Sequence, residues 1–122
     1  KLKISKSTEI IYGLRNFIGN ANKFSKNEII IILTSDSKYT EVIIKDDGPG
    51  FPIDLIEKSK LGEPYIRSAS EKNISKYGLG LGTFIGKTLL EKNYASISFL
   101  NSEENKGAEV KIKWENKDLA KI

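Results

Sequence analysis

Neither cysteine nor histidine occurs in these 122 residues. Without cysteine there is no disulfide staple, no thiolate nucleophile and no sulfur-ligated metal. Without histidine the commonest general base and the commonest metal ligand are gone as well. No apolar run approaches the ~18 residues of a membrane span, and nothing at the start has the pattern of a secretory leader. Arginine is scarce: Arg15 and Arg67 supply the guanidinium groups, so the net charge of +4 rests on scattered lysines interleaved with acids. That is a poor footprint for nucleic acid, which wants clustered basic charge. No internal repeat or low-complexity segment is visible.

What remains is ordinary for a globular domain, with 39% apolar and 30% charged residues. The length fits one domain spanning 1–122. The chain opens on Lys1-Leu2-Lys3-Ile4 without a methionine, as a segment of something larger would.

The most informative feature is Gly78-Leu79-Gly80-Leu81-Gly82, which runs into the apolar stretch Thr83 to Leu90. Alternate glycines ahead of a helix let backbone approach a ligand, and the free N–H groups of a helix start favour phosphate. Two familiar phosphate loops fail on register. Gly86-Lys87-Thr88 lacks the Walker glycine, because Leu81 holds its place. The dinucleotide fingerprint needs glycine where Ile85 stands. Lys87 is therefore expected inside a helix, on its solvated side.

The remaining pattern alternates helix and strand. Ser7 or Thr8 offers an N-cap, with Glu9 in the first turn, for a helix from Ile10 to Phe24. Glu28 to Thr34 reads as a continuous β-branched run of the buried kind, and Asp36-Ser37-Lys38 turns it into a second strand, Tyr39 to Lys45. A turn-rich loop follows from Asp46 to Pro52, then a short helix from Ile53 to Ser59. Lys60 to Tyr77 is long and polar, as a functional lid would be. A helix from Leu81 to Lys92 and two strands, Ala95 to Leu100 and Glu109 to Trp114, complete the pattern. Lys1 to Ile4 is expected as a short edge strand, and the tail beyond Trp114 as frayed. This order predicts an α+β two-layer α/β sandwich, a mixed sheet covered by helices on one face.

Asn16, Asn20 and Lys23 fall at i, i+4 and i+7, so one helix face carries two amides and an ammonium. Asparagine is a mediocre helix former, and two of them one turn apart suggest a task. An amide carbonyl is an uncharged hard oxygen, suited to Mg²⁺ already neutralised by phosphates, with Lys23 as a point charge on a phosphate. Asp46 ends a strand and opens Asp46-Asp47-Gly48-Pro49-Gly50. Such a string is also what a plain turn contains. A carboxylate there can accept from an exocyclic amine such as adenine N6. Alternation with Val42 and Ile44 turns Asp46 inward and leaves Asp47 outward.

Together the segments Asn16 with Asn20-Ala21-Asn22-Lys23-Phe24, Asp46 to Phe51, Glu63-Pro64-Tyr65-Ile66-Arg67, Gly78 to Gly82 and Gly107-Ala108 resemble the N, G1, F, G2 and G3 boxes of the histidine kinase catalytic and ATP-binding domain. The likeness covers nearly the whole chain, in order. Leu61-Gly62-Glu63-Pro64-Tyr65 and Gly82 to Glu91 are most similar to redox-responsive sensor kinases of the RegB/PrrB type.

The resemblance implies the Bergerat ATP-binding fold of the GHKL group, with a lid over about residues 60–80. It implies Asn20, assisted by Asn16, on Mg²⁺, and Lys23 on the phosphates. Asp46 would take adenine N6, while Gly48 and Gly50 shape the base pocket. Tyr65 would anchor the lid, Arg67 would reach the γ-phosphate, and Gly78, Gly80 and Gly82 would hinge the lid over the phosphates. It further implies transfer of the ATP γ-phosphate to a histidine on a separate dimerisation domain, with a response regulator receiver domain downstream. The setting would be cytoplasmic, the parent anchored in an inner membrane that this domain does not itself touch. Since this chain holds no histidine, the acceptor must lie elsewhere.

Two departures stand out. Gly19 occupies the place where many members carry an acid, and Ala108 replaces a common threonine. The first keeps open an alternative, a non-catalytic ATP-sensing module of the same fold. Position 16 separates further relatives, since the gyrase, Hsp90 and MutL branch has a glutamate there as general base on water. Asn16 cannot take a proton, which favours a strong nucleophile over water.

Overall fold

The computed structural model describes residues 7–51, 81–102 and 107–121. Helix α1 spans Thr8–Phe24. The Ser7 hydroxyl caps it by accepting from the Ile10 N–H at 3.3 Å, and Glu9 sits in the first turn. Strands β1 (Ile29–Ser35) and β2 (Tyr39–Asp46) form a hairpin. Its turn is closed by Asp36, whose Oδ1 accepts the N–H groups of Lys38 and Tyr39 at 2.8 and 2.7 Å. Helix α2 covers Leu81–Lys92, β3 covers Ser96–Asn101, β4 covers Ala108–Glu115, and a short α3 covers Asn116–Leu119.

The four strands lie in the order β1-β2-β4-β3. All three pairings among the described residues are antiparallel, so the parallel pair of a mixed sheet is not among them. Ile44 pairs with Val110 and Val42 with Ile112, while Ile97 pairs with Ile112 and Phe99 with Val110. By alternation these side chains share one face. Against that face lie α1, through Phe17 and Ala21, and α2, through Leu90. The helices meet closely at two glycines: a Cβ at Gly13 would stand 2.8 Å from Leu90 Cγ, and one at Gly86 would stand 3.2 Å from Asn16 Cβ. Trp114 closes the far end of the core, its indole N–H donating to the Asn93 carbonyl at 3.0 Å. No described helix is long and apolar enough to cross a membrane.

Two expectations require correction. The β1 run is not buried: Ile31 and Leu33 are 52% and 69% exposed. Their register with Ile44 and Val42 places them on the helix-bearing side of the sheet, but β1 lies last in the strand order, beyond the cover of the two helices. A β-branched run specifies a strand, whereas its place in the sheet depends on which strands pair. The tail after Trp114 is also structured through residue 121, with α3 over Asn116–Leu119. Leu119 is 2% exposed. Asn116 ties α3 to the hairpin, donating from its backbone to Lys38 O and from Nδ2 to Asp36 O, and accepting from the Thr40 hydroxyl.

Gly19 sits on the exposed side of α1 with nothing within 4 Å of a Cβ built there. Packing therefore does not require glycine. Gly19→Ala is expected to raise stability by about 1 kcal/mol through helix propensity and a less flexible unfolded chain. Thermal denaturation should show a midpoint about 4 °C higher, and an unchanged or lower midpoint would contradict the open site.

Candidate nucleotide-binding site

Asp46, the last residue of β2, is only 6% exposed and faces the helical layer with Ile44. Its Oδ1 accepts the Gly48 N–H at 2.8 Å and the Ala108 N–H at 3.4 Å. Burial pushes its pKa up; the two backbone donors oppose this, and the neighbouring Asp47 charge adds to the rise. The carboxylate opens on a narrow cavity of about 30 Å³. Phe17, Phe24, Phe51 and Phe99 form much of the wall, with Asp46, Asn20 and Thr83 as polar members. The rings of Phe17 and Phe51 pack on Phe99 at centroid distances of 5.9 and 5.6 Å, the second pair edge-on. Aromatic walls beside one buried acceptor are chemically suited to a flat ring with an amine edge.

The loop after β2 owes its shape to close backbone approaches. Gly50 also lines the cavity and has φ of 82°, a conformation glycine adopts without strain. A Cβ at Gly48 would lie 2.2 Å from the Phe24 carbonyl oxygen, and one at Gly107 would lie 1.8 Å from the Asp46 carbonyl oxygen. Asp47 points away from the cavity, as alternation requires, and there it clamps the chain. Its carboxylate accepts the N–H groups of Lys26, Asn27 and Glu28 at 2.7 to 3.3 Å. Desolvation works against its ionisation, yet these donors outweigh it and hold the pKa below the usual carboxylate range.

On α1 the two asparagines are both tied by their amide nitrogens. Asn16 Nδ2 donates to the Tyr12 carbonyl at 2.9 Å, and Asn20 Nδ2 donates to the Thr83 hydroxyl at 3.1 Å. This leaves their carbonyl oxygens as the ends available to a ligand, the donor type that a hard cation takes. Asn20 lines the cavity; Asn16 lies beside it, against Gly86. Lys23 is exposed at the rim, with Nζ 5.5 Å from the ring centroid of Phe24. Lys87 lies in α2, half-buried and 3.4 Å from Glu91.

The structure thus gathers Asn20, Asp46 and Gly50 at one cavity, with Gly48 behind it and Asn16 and Lys23 on its flank. Gly82 falls in the first turn of α2. Tyr65, Arg67, Gly78 and Gly80 lie outside the described residues. Sequence reasoning missed Thr83, the Asp47 clamp and Asn101. The last pairs reciprocally with the backbone of Phe51, at 2.7 and 3.0 Å, and so sets one wall of the cavity. No local signal marks that pairing, which spans 50 residues.

An antiparallel sheet under two helices, with a buried carboxylate in an aromatic cavity at the strand ends, defines a nucleotide-binding α+β sandwich. The sequence profile described as "Histidine kinase-, DNA gyrase B-, and HSP90-like ATPase" matches residues 6–118. The sensor histidine kinase RegB of Cereibacter sphaeroides is 37% identical over 110 residues, covering 83% of this chain and 22% of that protein. A putative sensor histidine kinase, NtrY-like, of Rickettsia typhi is 31% identical over 117 residues, covering 93% and 18%. The mycobacterial sensor histidine kinase MprB superposes with a TM-score of 0.71 at 24% identity, over 92% of this chain and 75% of that one. The chain belongs to the histidine kinase-, DNA gyrase B- and HSP90-like ATPase family, as an ATP-binding catalytic domain of the histidine kinase kind. It spans about a fifth of the length of these two sequence relatives.

Proposed function

We propose that this domain binds ATP with Mg²⁺ and presents the γ-phosphate to a histidine on a separate dimerisation domain of its parent protein. The phosphoryl group would pass onward to a response regulator receiver domain in two-component signalling. The observation that carries the reading is Asp46: a buried carboxylate with one oxygen held by Gly48 and Ala108, in an aromatic cavity. It offers an acceptor to the exocyclic amine of adenine while the phenyl rings enclose the base.

The two asparagines fit a cation. Their nitrogens are engaged and their oxygens are uncharged, as suits an ion whose charge the phosphates already balance. Asn20 would hold Mg²⁺ with help from Asn16; when bound, the ion neutralises charge on the phosphates. Lys23 at the rim would hold a phosphate as a point charge. Arg67 would meet the γ-phosphate, Tyr65 would anchor the lid, and Gly78, Gly80 and Gly82 would bring backbone to the phosphates. An imidazole nitrogen attacks phosphorus, the β–γ bridging bond breaks and ADP leaves. Asn16 offers no basic group for water, so the nucleophile must be one that needs little activation.

The domain would work in the cytoplasm, where ATP is, with its parent anchored in the inner membrane. Gly19, with no acid beside the metal asparagine, supports a second reading as a non-catalytic ATP sensor. The two separate when the chain is mixed with the parent's histidine-bearing domain and ATP labelled in the γ-phosphate. Label appearing on that domain, acid-labile and base-stable as phosphohistidine is, supports the kinase. Nucleotide binding without transfer favours the sensor, and rapid hydrolysis with no acceptor would favour an ATPase.

A further inference from the structure

We infer that Thr83 is a positioning residue for the cation site, its hydroxyl fixing the Asn20 amide so that the carbonyl oxygen faces the ligand. The inference rests on the Mg²⁺ reading above. A carboxamide has two ends of nearly equal size and opposite polarity, and its terminal torsion is soft. Only the oxygen end can bind a cation, so a ligating asparagine gains from a partner that engages its nitrogen. Thr83 is that partner. Its Oγ1 lies 3.1 Å from Asn20 Nδ2, and the residue is 2% exposed. A β-branched side chain holds few rotamers, so the acceptor stays where it is aimed.

Asn16 has no such dependence, because its nitrogen is held by the Tyr12 carbonyl of the same helix. Among the described residues, no donor takes the Asn20 oxygen. The Asn20–Thr83 bond spans 63 residues and joins α1 to the first turn of α2. Thr83 follows Gly82 directly. One bond therefore sets the orientation of the ligand amide and ties it to the turn of α2 that holds Gly82.

The test is the ratio of dissociation constants for a non-hydrolysable ATP analogue, measured by calorimetry on the 122-residue chain in EDTA and in excess Mg²⁺. Loss of packing in the cavity enters both titrations and cancels in the ratio. Thr83→Val keeps the shape and removes the hydroxyl; it is expected to lower the ratio about tenfold, the scale on which supporting partners tune metal sites. Thr83→Ser keeps the hydroxyl and is expected to restore the ratio to within about threefold of wild type. If valine cannot be accommodated, Thr83→Ala is measured in its place.

A Val or Ala variant with the wild-type ratio overturns the inference, as does a Ser variant equally defective. Wild type that binds the analogue with a ratio near one removes the metal reading and this inference with it. Wild type that binds no analogue removes the nucleotide reading itself.

Discussion

Asp46→Ala is expected to weaken adenine-nucleotide binding at least ~100-fold in calorimetric titration, about 2.7 kcal/mol. The substitution removes the acceptor for the base. It also leaves the N–H groups of Gly48 and Ala108 without the oxygen that holds them, so the loop and the start of β4 lose their common anchor. Losses of this size are usual when one partner of a buried, charge-assisted bond is removed. Asp46→Asn is more discriminating. One end of the amide can still accept from Gly48, but the other end is then a donor that faces the donor amine of adenine. It should cost at least tenfold for adenine nucleotides while the chain stays folded. Full affinity in either variant would show that the base is read elsewhere.

The same carboxylate sets a pH dependence. Burial raises the Asp46 pKa against the opposing pull of its backbone donors. The folded domain thus keeps this proton to higher pH than the unfolded chain does. Its contribution to stability is full below the unfolded value and is lost as pH rises through the folded one. Binding runs the other way, because an amine donates best to the ionised form. Affinity for the analogue should therefore fall on acidification from a higher pH than an ordinary aspartate would give. Asp46→Asn should flatten that part of the profile.

Gly107→Ala has the largest expected effect on folding. A Cβ there would lie 1.8 Å from the Asp46 carbonyl oxygen, 2.8 Å from its carbon and 3.1 Å from Asp47 Cα. Every one of these is backbone, so no side chain can swing aside. Either the start of β4 or the loop after β2 must move, and with it the Asp46 anchor on Ala108. We expect a loss of at least ~3 kcal/mol and a thermal midpoint lower by more than ~10 °C. Gly48→Ala, aimed at the Phe24 carbonyl oxygen from 2.2 Å, should behave in the same way. Gly19→Ala in parallel should move the midpoint upward. A Gly107→Ala midpoint within a few degrees of wild type would mean that this crossing is not as tight as it stands here.

How legible was this domain beforehand? Elements governed by neighbours in sequence were readable. The periodicity of α1, its Ser7 cap and the Asp36 turn are local events within a few residues, and each formed where it was expected. Alternation along β2 turned Asp46 inward and Asp47 outward, because side chains on a strand have no other choice. The spacing of Asn16, Asn20 and Lys23 fixed a common helix flank for the same geometric reason.

The rest waited on the tertiary structure, since it depends on contacts between distant residues. Whether the β1 run was buried hinged on strand order, and the edge position exposed Ile31 and Leu33. The fate of the tail hinged on Asn116 finding the hairpin across some 80 residues. Sequence could propose Asn20 as a ligand, but it could not show which end of its amide the protein itself engages. The nitrogen end is taken by Thr83, brought from the far side of the chain when α2 packed on α1. Local pattern chose the residue types and their faces; long-range packing oriented them, because a hydrogen bond between distant residues leaves no periodic trace in the sequence.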